Sequence, residues 1–221
     1  MDAQSAFQLA FHFGTSKPVV VEPSAAQVSS DAGLLPFRQL DEQLGLTQQL
    51  ADCLTDRRHV GYVGHTFLEM VRMRVYGILA DYADQNDHDL LRSDPVFKLV
   101  CDRSIHDDDL ASQPTLSRFE NAIDTGSFFR LRDMLIDQFI ASFDEPPQRL
   151  TLDVDPFDDP TYGQRPGTQQ IPCAGCPLTF FHGYYRQYQY LPRVITCAEN
   201  DLVLSLCLLY GSAHPALGAD E

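Results

Sequence analysis

The stretch Arg149-Leu150-Thr151-Leu152-Asp153-Val154-Asp155 decides the fold of the second part of the chain. Apolar and polar residues alternate along it, so its leucines and valine face one side of an extended strand, and its threonine and aspartates face the other. Pro156 follows, and it is expected to end the strand. The sequence therefore predicts a β-strand with an acidic face that carries Asp153 and Asp155.

Asp153 and Asp155 are the first candidates for chemistry. Carboxylates two residues apart on a strand lie about 7 Å from each other, given a rise of about 3.3 Å per residue. Two such groups repel each other unless a cation neutralises them, and Mg²⁺ or Mn²⁺ is the usual cation. This arrangement suits metal-dependent phosphoryl transfer. An ordinary strand that runs into the turn Asp158-Asp159-Pro160 explains the same residues and stays an alternative.

Helical periodicity dominates the residues before this strand. Residues 17–21 read as a short strand, and a helix is predicted to begin near Leu34, with a break at Gly45. Apolar residues one turn apart predict a core helix within residues 65–82. The front of the chain is therefore expected to be mainly helical.

Start and stop signals mark further helices. Asp94 followed by Pro95 predicts a helix start, because the aspartate can accept from the first free amides and proline suits the first helical position. Residues 112–143 predict two helices with a break around Gly126. Glu145-Pro146-Pro147 ends the second of them, since successive prolines cannot continue a helix.

Three segments follow the acidic strand. Residues 178–185 and 191–198 predict two more strands, and the apolar run 202–210 predicts the opening of a helix. The chain therefore reads as an α+β protein, with helices up to about residue 147 and a sheet after it.

The segment Ser112-Gln113-Pro114-Thr115-Leu116-Ser117-Arg118 is the candidate DNA-contacting element. Small hydroxyl and amide residues at the start of a helix, with an arginine one turn later, are typical of a recognition helix whose first turn meets phosphates and base edges. Ordinary helix capping by serine or threonine explains the same pattern and stays an alternative. The side chains predicted to contact DNA are Gln113, Thr115, Ser117 and Arg118, together with Arg72 and Arg74.

The formal net charge of −15 argues against a nucleic-acid partner, because phosphate contacts need local lysine and arginine. The charge is uneven, however. Arginines cluster at positions 57, 58, 72 and 74, whereas an acidic run between residues 81 and 109 ends in Asp107-Asp108-Asp109. We interpret that run as a solvated face or loop, with metal binding by so irregular a cluster as the alternative.

The six cysteines form no compact framework, so free thiols are expected rather than disulfides. Cys173-Ala174-Gly175-Cys176 has the spacing of half a zinc site, but His182 alone does not complete four ligands. His182 is expected to be packed and hydrogen-bonded, with base stacking by the neighbouring tyrosines as an alternative role for this segment. The sequence has no Gly-rich phosphate loop and no nucleophile elbow. No stretch resembles a membrane span or a signal peptide, so a cytoplasmic protein is expected.

Ordered matches along nearly the whole chain carry a resemblance to a known family. They are Ser29-Ser30-Asp31-Ala32-Gly33-Leu34-Leu35, Arg38-Gln39-Leu40-Asp41, Gly45-Leu46-Thr47, Asp84-Gln85-Asn86-Asp87, Leu91-Arg92-Ser93-Asp94-Pro95, Ser112 to Glu120, Leu152 to Asp155, and Asp158-Asp159-Pro160-Thr161-Tyr162-Gly163-Gln164. On these residues the chain resembles the bacterial DDE transposases, specifically the group typified by insertion sequence thirteen-eighty.

The resemblance implies a helical DNA-binding section and an RNase H-like catalytic domain that cuts and joins DNA at the terminal repeats of an insertion sequence. The implied cofactor is Mg²⁺ or Mn²⁺, and the implied partner is DNA at the bacterial nucleoid, with a homodimer possible. The first acid of the catalytic triad maps to Asp155 or to Asp153, and both are implied metal ligands. The sequence does not decide between them.

The resemblance also suggests a division of the chain. Residues 1–33 would form an N-terminal strand and loop, residues 34–147 a helical DNA-binding domain, and residues 148–221 the first strands of an incomplete RNase H-like mixed sheet, with an atypical insert at 165–177. The second aspartate and the glutamate of the triad are missing before Glu221. We therefore expect a truncated, inactive DDE transposase, with a non-catalytic DNA-binding module that competes for element ends as the alternative.

Overall fold

The computed structural model describes residues 9–14, 16–21, 29–160, 180–214 and 216–218. The chain divides into two compact units, Met1–Leu131 and Arg132–Glu221. The described residues form helices and antiparallel sheets, which confirms the predicted α+β class. None of the described helices is long and apolar enough to cross a membrane.

The first unit is built mainly from helices. A hairpin of β1 (Leu9–Phe11) and β2 (Val19–Val21) precedes them. The helices are α1 (Leu34–Leu44), α2 (Leu46–Asp52), α3 (Phe67–Leu79), α4 (His88–Leu91), α5 (Pro95–Val100), α6 (Gln113–Asn121) and α7 (Thr125–Ala141), and the division between the two units falls within α7. Two short 3₁₀ turns cover Val60–Tyr62 and Gln85–Asp87.

Local capping signals place most of these helices. Gly45 has a left-handed backbone with φ of 66° and separates α1 from α2, as predicted. The Asp94 side chain accepts from the backbone at the start of α5, which confirms the predicted helix start. The two helices predicted within residues 112–143 are present as α6 and α7, but Gly126 itself lies in the first turn of α7. The break comes just before it, where the Asp124 carboxylate accepts from Ser127 N at 2.9 Å.

The second unit contains a five-stranded antiparallel sheet around one long strand, β6 (Gln187–Cys197). Each of the other strands pairs with β6, and they are β3 (Leu152–Pro156), β4 (Asp159–Pro160), β5 (Phe180–His182) and β7 (Val203–Tyr210). Val194 of β6 pairs with both Asp155 of β3 and Leu206 of β7, so β3 and β7 lie on opposite edges of β6. Every pairing among the described strands is antiparallel, so the parallel strands of a mixed sheet are not among them.

The prediction that residues 202–210 open a helix is wrong, because this segment is strand β7. Its leucines are good helix formers, but β6 offers backbone partners along this edge, with one register shift between Ile195 and Thr196. Leu209 pairs with Leu191, and both are buried with Ala213 in a small apolar cluster. Tertiary pairing therefore overrides the local preference of the segment.

The backbone after β7 passes so close to β6 that only glycine fits at position 211. A Cβ atom built there would overlap the carbonyl oxygen of Gln189 and lie 2.8 Å from its carbonyl carbon. We expect Gly211→Ala to lower the free energy of unfolding by about 3 kcal/mol, since the clash is with backbone. Gly183→Ala is the control, because an added Cβ there meets nothing within 4 Å. Equal urea midpoints by circular dichroism for the two variants would contradict this close approach.

His88 is a buried histidine that the fold keeps neutral. Its Nε2 lies 3.0 Å from Nη1 of Arg74, which can only donate, so the ring nitrogen must accept. Burial, followed by the charge of Arg74, lowers the pKa of His88 to about 4. The unfolded chain takes up this proton near pH 6.5, so the contribution of His88 to stability is complete above pH 6.5 and is lost as the pH falls towards 4.

We therefore expect wild-type protein to lose stability between pH 7 and 5.5 more steeply than His88→Gln does. The exposed His59→Gln variant serves as the control and should keep the wild-type slope. Urea unfolding at several pH values measures the three slopes. The assignment fails if His88→Gln and wild type follow the same pH dependence.

Candidate functional site

The pairing of β3 with β6 places the two candidate aspartates on one face of the sheet. Asp153 pairs with Thr196, and Asp155 pairs with Val194. Directly paired residues of antiparallel strands lie on the same face, so the two aspartates share the face of Thr196 and Val194. The next residue of β6, Ile195, is buried on the opposite face. The alternation of acidic and apolar residues predicted from the sequence is therefore present in the sheet, with both aspartates on one face.

Both aspartates are exposed, so their carboxylates are accessible to a cation. Asp159 lies on the same face, because it pairs with Tyr190, but it stands about 13 Å from Asp155 along the strand direction. In the described part of the chain no group of three or more His, Cys, Asp or Glu side chains could hold a metal ion. Asp153 and Asp155 thus form a partial ligand set of oxygen atoms, the type that Mg²⁺ and Mn²⁺ prefer.

Glu199 fixes the start of β3, two residues before Asp153. Its carboxylate accepts from Thr151 N at 2.9 Å and from the thiol of Cys197 at 3.0 Å. These bonds, first the one from the Cys197 thiol and then the one from the Thr151 backbone, lower the pKa of Glu199 to about 2. Glu199 is therefore ionised at neutral pH and holds β3 against the turn after β6.

Asp158 belongs to a different surface from the two aspartates of β3. Its Oδ1 accepts from Nε2 of Gln189 at 2.7 Å. Gln189 lies on the same buried face of β6 as Ile195. The negative charge of Asp158 also raises the pKa of Tyr185. The ring of Tyr185 lies 4.9 Å from the ring of His182, and both line a pocket of about 220 Å³. His182 is therefore half-buried against Tyr185, and Asp158 does not join the carboxylates of β3.

Helix α6 contains the four side chains of the predicted DNA-contacting element. Leu116 and Phe119 are buried and attach the helix to the core. On its outer side, an Nη of Arg118 donates to Oγ1 of Thr115 at 3.1 Å, and Ser117 is half-exposed. The structure therefore brings Thr115 and Arg118 together one turn apart.

The first turn of α6 already has an acceptor within the protein. Gln113 N donates to the carboxylate of Asp89 at 3.0 Å, and the Gln113 amide nitrogen lies 3.4 Å from Oε1 of Gln85. A DNA phosphate at this turn would have to replace Asp89. Gln113 is consequently less available than Arg118.

Arg72 and Arg74, the other predicted DNA contacts, are held in ion pairs of the helical unit. Arg72 is buried, pairs with Asp102 and donates from Nε to Thr47 Oγ1 at 3.1 Å. Arg74 pairs with Glu120 at 2.6 Å. A DNA contact by either arginine would require these ion pairs to open.

In the sequence, Arg57 and Arg58 lie close to Arg72 and Arg74. In the fold, the first two line a groove that the other two do not line. Arg57 and Arg58 line a groove together with Arg118 of α6. The sequence offered no signal for this neighbourhood, since about 60 positions separate the two segments. The groove is therefore a feature that only the structure reveals.

The cysteines that the structure describes are free thiols at positions 53, 101, 197 and 207. The pair Cys173 and Cys176 and the insert 165–177 lie outside the described residues. The possible zinc spacing and the atypical insert therefore stay predictions.

Comparison with known proteins identifies one family. The family model described as transposase DDE domain group 1 matches residues 11–216, which include α6 and the acidic face of β3. No curated protein and no solved structure matches the chain significantly. The family match covers far more than half of the sequence. The chain therefore belongs to group 1 of the transposase DDE domain family.

Proposed function

We propose that this chain is a DDE transposase of the group typified by insertion sequence thirteen-eighty, and that Asp155 and Asp153 are the acids of β3 used in phosphoryl transfer. The observation that carries the proposal is a pair of exposed carboxylates on one face of a sheet strand, in a chain of the DDE family. Asp155 stands nearer the end of β3 and is proposed as the principal acid, with Asp153 beside it.

The residues of this face suit the divalent metal that DDE transposases generally use. Carboxylates of Asp153 and Asp155 would hold Mg²⁺ or Mn²⁺, and waters or DNA phosphate oxygens would supply further ligands. When bound, such an ion favours attack by water or a 3′-hydroxyl and stabilises the leaving oxygen. The chain itself contributes the orientation of the two carboxylates, which Glu199 supports by holding the start of β3.

The proposed DNA partner is the terminal repeat of the element. Arg118 and Thr115 on the outer side of α6 are proposed as the main contacts, with Ser117 and Gln113 beside them. Supporting this assignment, Leu116 and Phe119 fix the helix through its inner side and leave the polar residues outward. We propose the bacterial nucleoid as the place of action, and a homodimer as the form that joins two element ends.

A second function is a non-catalytic module that binds element ends and competes with a complete transposase. The observation that favours it is that the acidic face of β3 offers two close carboxylates, whereas two-metal chemistry needs a larger ligand set. This alternative predicts DNA binding without metal-dependent cleavage.

Metal binding tests the proposed role of the β3 face. We expect Asp155→Asn and Asp153→Asn each to weaken Mn²⁺ binding by at least about tenfold, equivalent to about 1.4 kcal/mol, because each removes a charged ligand. Asp137→Asn is the control, since Asp137 is an exposed acid of α7. Isothermal titration calorimetry measures the affinities, and circular dichroism checks that each variant is folded.

Equal Mn²⁺ affinity in the Asp155→Asn, Asp153→Asn and Asp137→Asn proteins would reject the metal site. Incubation of wild type with terminal-repeat DNA and Mg²⁺ then separates the two functions. Strand cleavage supports the transposase, and binding without cleavage supports the non-catalytic module.

A further inference from the structure

A groove beside α6 concentrates positive charge in a chain whose net charge is −15. It has a volume of about 300 Å³, and its lining includes Arg57, Arg58 and Arg118 together with one acid, Asp56, which pairs with Arg58. The first two arginines come from the segment between α2 and α3, and the third comes from α6. Phe67 and Phe119 form part of the apolar floor. We call this feature the arginine groove.

The three arginines of the arginine groove are held to different degrees. Arg58 is fixed, because it bonds to both oxygens of Asp56 at 2.8 and 2.6 Å and lies over the Phe67 ring at 4.6 Å. Arg118 is exposed, and among the described residues it forms no ion pair, only its bond to Thr115. Such an arginine is available to an anion from solvent.

Arg57 is the most exposed of the three, and it is paired with an acid. Its side chain is 78% exposed, and its guanidinium lies 2.7 Å from the carboxylate of Asp124. Ion pairs that are this exposed are weak, because water and salt screen them. A stronger anion can therefore replace Asp124 beside Arg57.

Exposed aromatic and apolar side chains follow the two arginines in the chain. Val60 and Tyr62 are 87% and 89% exposed, and the ring of His59 lies 5.5 Å from that of Tyr62. Arginines next to exposed aromatic rings are typical of surfaces that contact nucleic acid. The floor and the charge suit an anionic, partly apolar ligand such as the sugar-phosphate backbone.

We propose that the arginine groove binds a backbone phosphate of duplex DNA, and that Asp124 competes with this phosphate for Arg57. The proposal rests on the proposed DNA-processing function and adds a binding surface to it. Bound phosphate would lie between Arg57 and Arg118, whereas Arg58, neutralised by Asp56, would form a fixed wall of the groove. Because the contact is to phosphate, it positions the protein on DNA without reading sequence.

Asp124 can be changed without removing its structural role. Its carboxylate accepts from the backbone N and the Oγ of Ser127, each at 2.9 Å, at the start of α7. Asparagine caps helices about as well as aspartate does, but it carries no charge. Asp124→Asn therefore separates the competition for Arg57 from the capping of α7, and beyond Arg57 it removes, among the described residues, only the longer, 4.0 Å ion pair with Arg130.

The test measures the affinity of the full chain for a fluorescein-labelled 20-base-pair duplex of random sequence, by anisotropy at several KCl concentrations. We expect Asp124→Asn to bind about threefold more tightly than wild type, with a salt slope steeper by roughly one. Arg57→Ala and Arg118→Ala should each bind at least about fivefold more weakly, with a shallower slope. In an Arg57→Ala background, Asp124→Asn should give no gain.

Asp133→Asn is the matched control. It changes the net charge by the same one unit, but Asp133 pairs with its neighbour Arg132 on α7 and does not line the groove. An equal gain in affinity from Asp133→Asn and Asp124→Asn would show that net charge alone matters, and would overturn the proposal. Wild-type affinity in both arginine variants, or no duplex binding by wild type at any salt concentration, would also overturn it.

The Mn²⁺ titration of the same proteins keeps this inference separate from the proposed function. Arg118→Ala should retain the Mn²⁺ affinity of wild type, because it leaves the carboxylates of β3 intact. If the groove variants bind DNA normally while Asp155→Asn loses Mn²⁺, the groove is rejected and the β3 site stands. If the groove variants lose DNA while Asp155→Asn keeps Mn²⁺, the β3 site is rejected and the groove stands.

Discussion

The register between β3 and β6 is the constraint on which the proposed chemistry depends. Side chains of a strand alternate with a period of two, so a slip of one residue would turn Asp153 and Asp155 to the face of Ile195 and Val154 to the other. Such a slip would replace Leu152 and Val154 by aspartates opposite the buried Cys197 and Ile195, and the loss of these apolar cross-strand pairs disfavours it. Glu199 adds a second restraint, because its carboxylate accepts a hydrogen bond from the backbone N of Thr151, directly before β3.

Local signals in the sequence predicted the elements whose geometry is determined locally. The alternation before Pro156 gave strand β3 and its acidic face, and Asp94 marked the start of α5 through bonds to neighbouring amides. Local signals failed for the elements whose structure depends on residues far away in the sequence. Residues 202–210 are apolar on both faces, and only the pairing with β6 makes them a strand. The arginine groove was likewise unpredictable, because Arg118 meets Arg57 only after α3 and α6 pack together.

The acidic composition of the chain is compatible with a DNA partner once the pairing of charges is considered. Arg72 is neutralised inside the helical unit by Asp102, so it adds little to the surface potential. The arginine groove, in contrast, has an exposed cation at Arg118 and a weak ion pair between Arg57 and Asp124. A local excess of positive charge, rather than the net charge of the chain, determines where a phosphate can bind. An acidic surface elsewhere would also disfavour unspecific contacts with nucleic acid.

The two proposed sites place opposite demands on a DNA phosphate. The carboxylates of Asp153 and Asp155 repel it until a cation neutralises them, whereas Arg57 and Arg118 attract it without a metal ion. Binding through the groove should therefore persist in a chelator and weaken with salt, and chemistry at β3 should require the metal at any salt concentration. If both proposed sites hold, DNA capture would precede cleavage, because the two steps would respond to different ions.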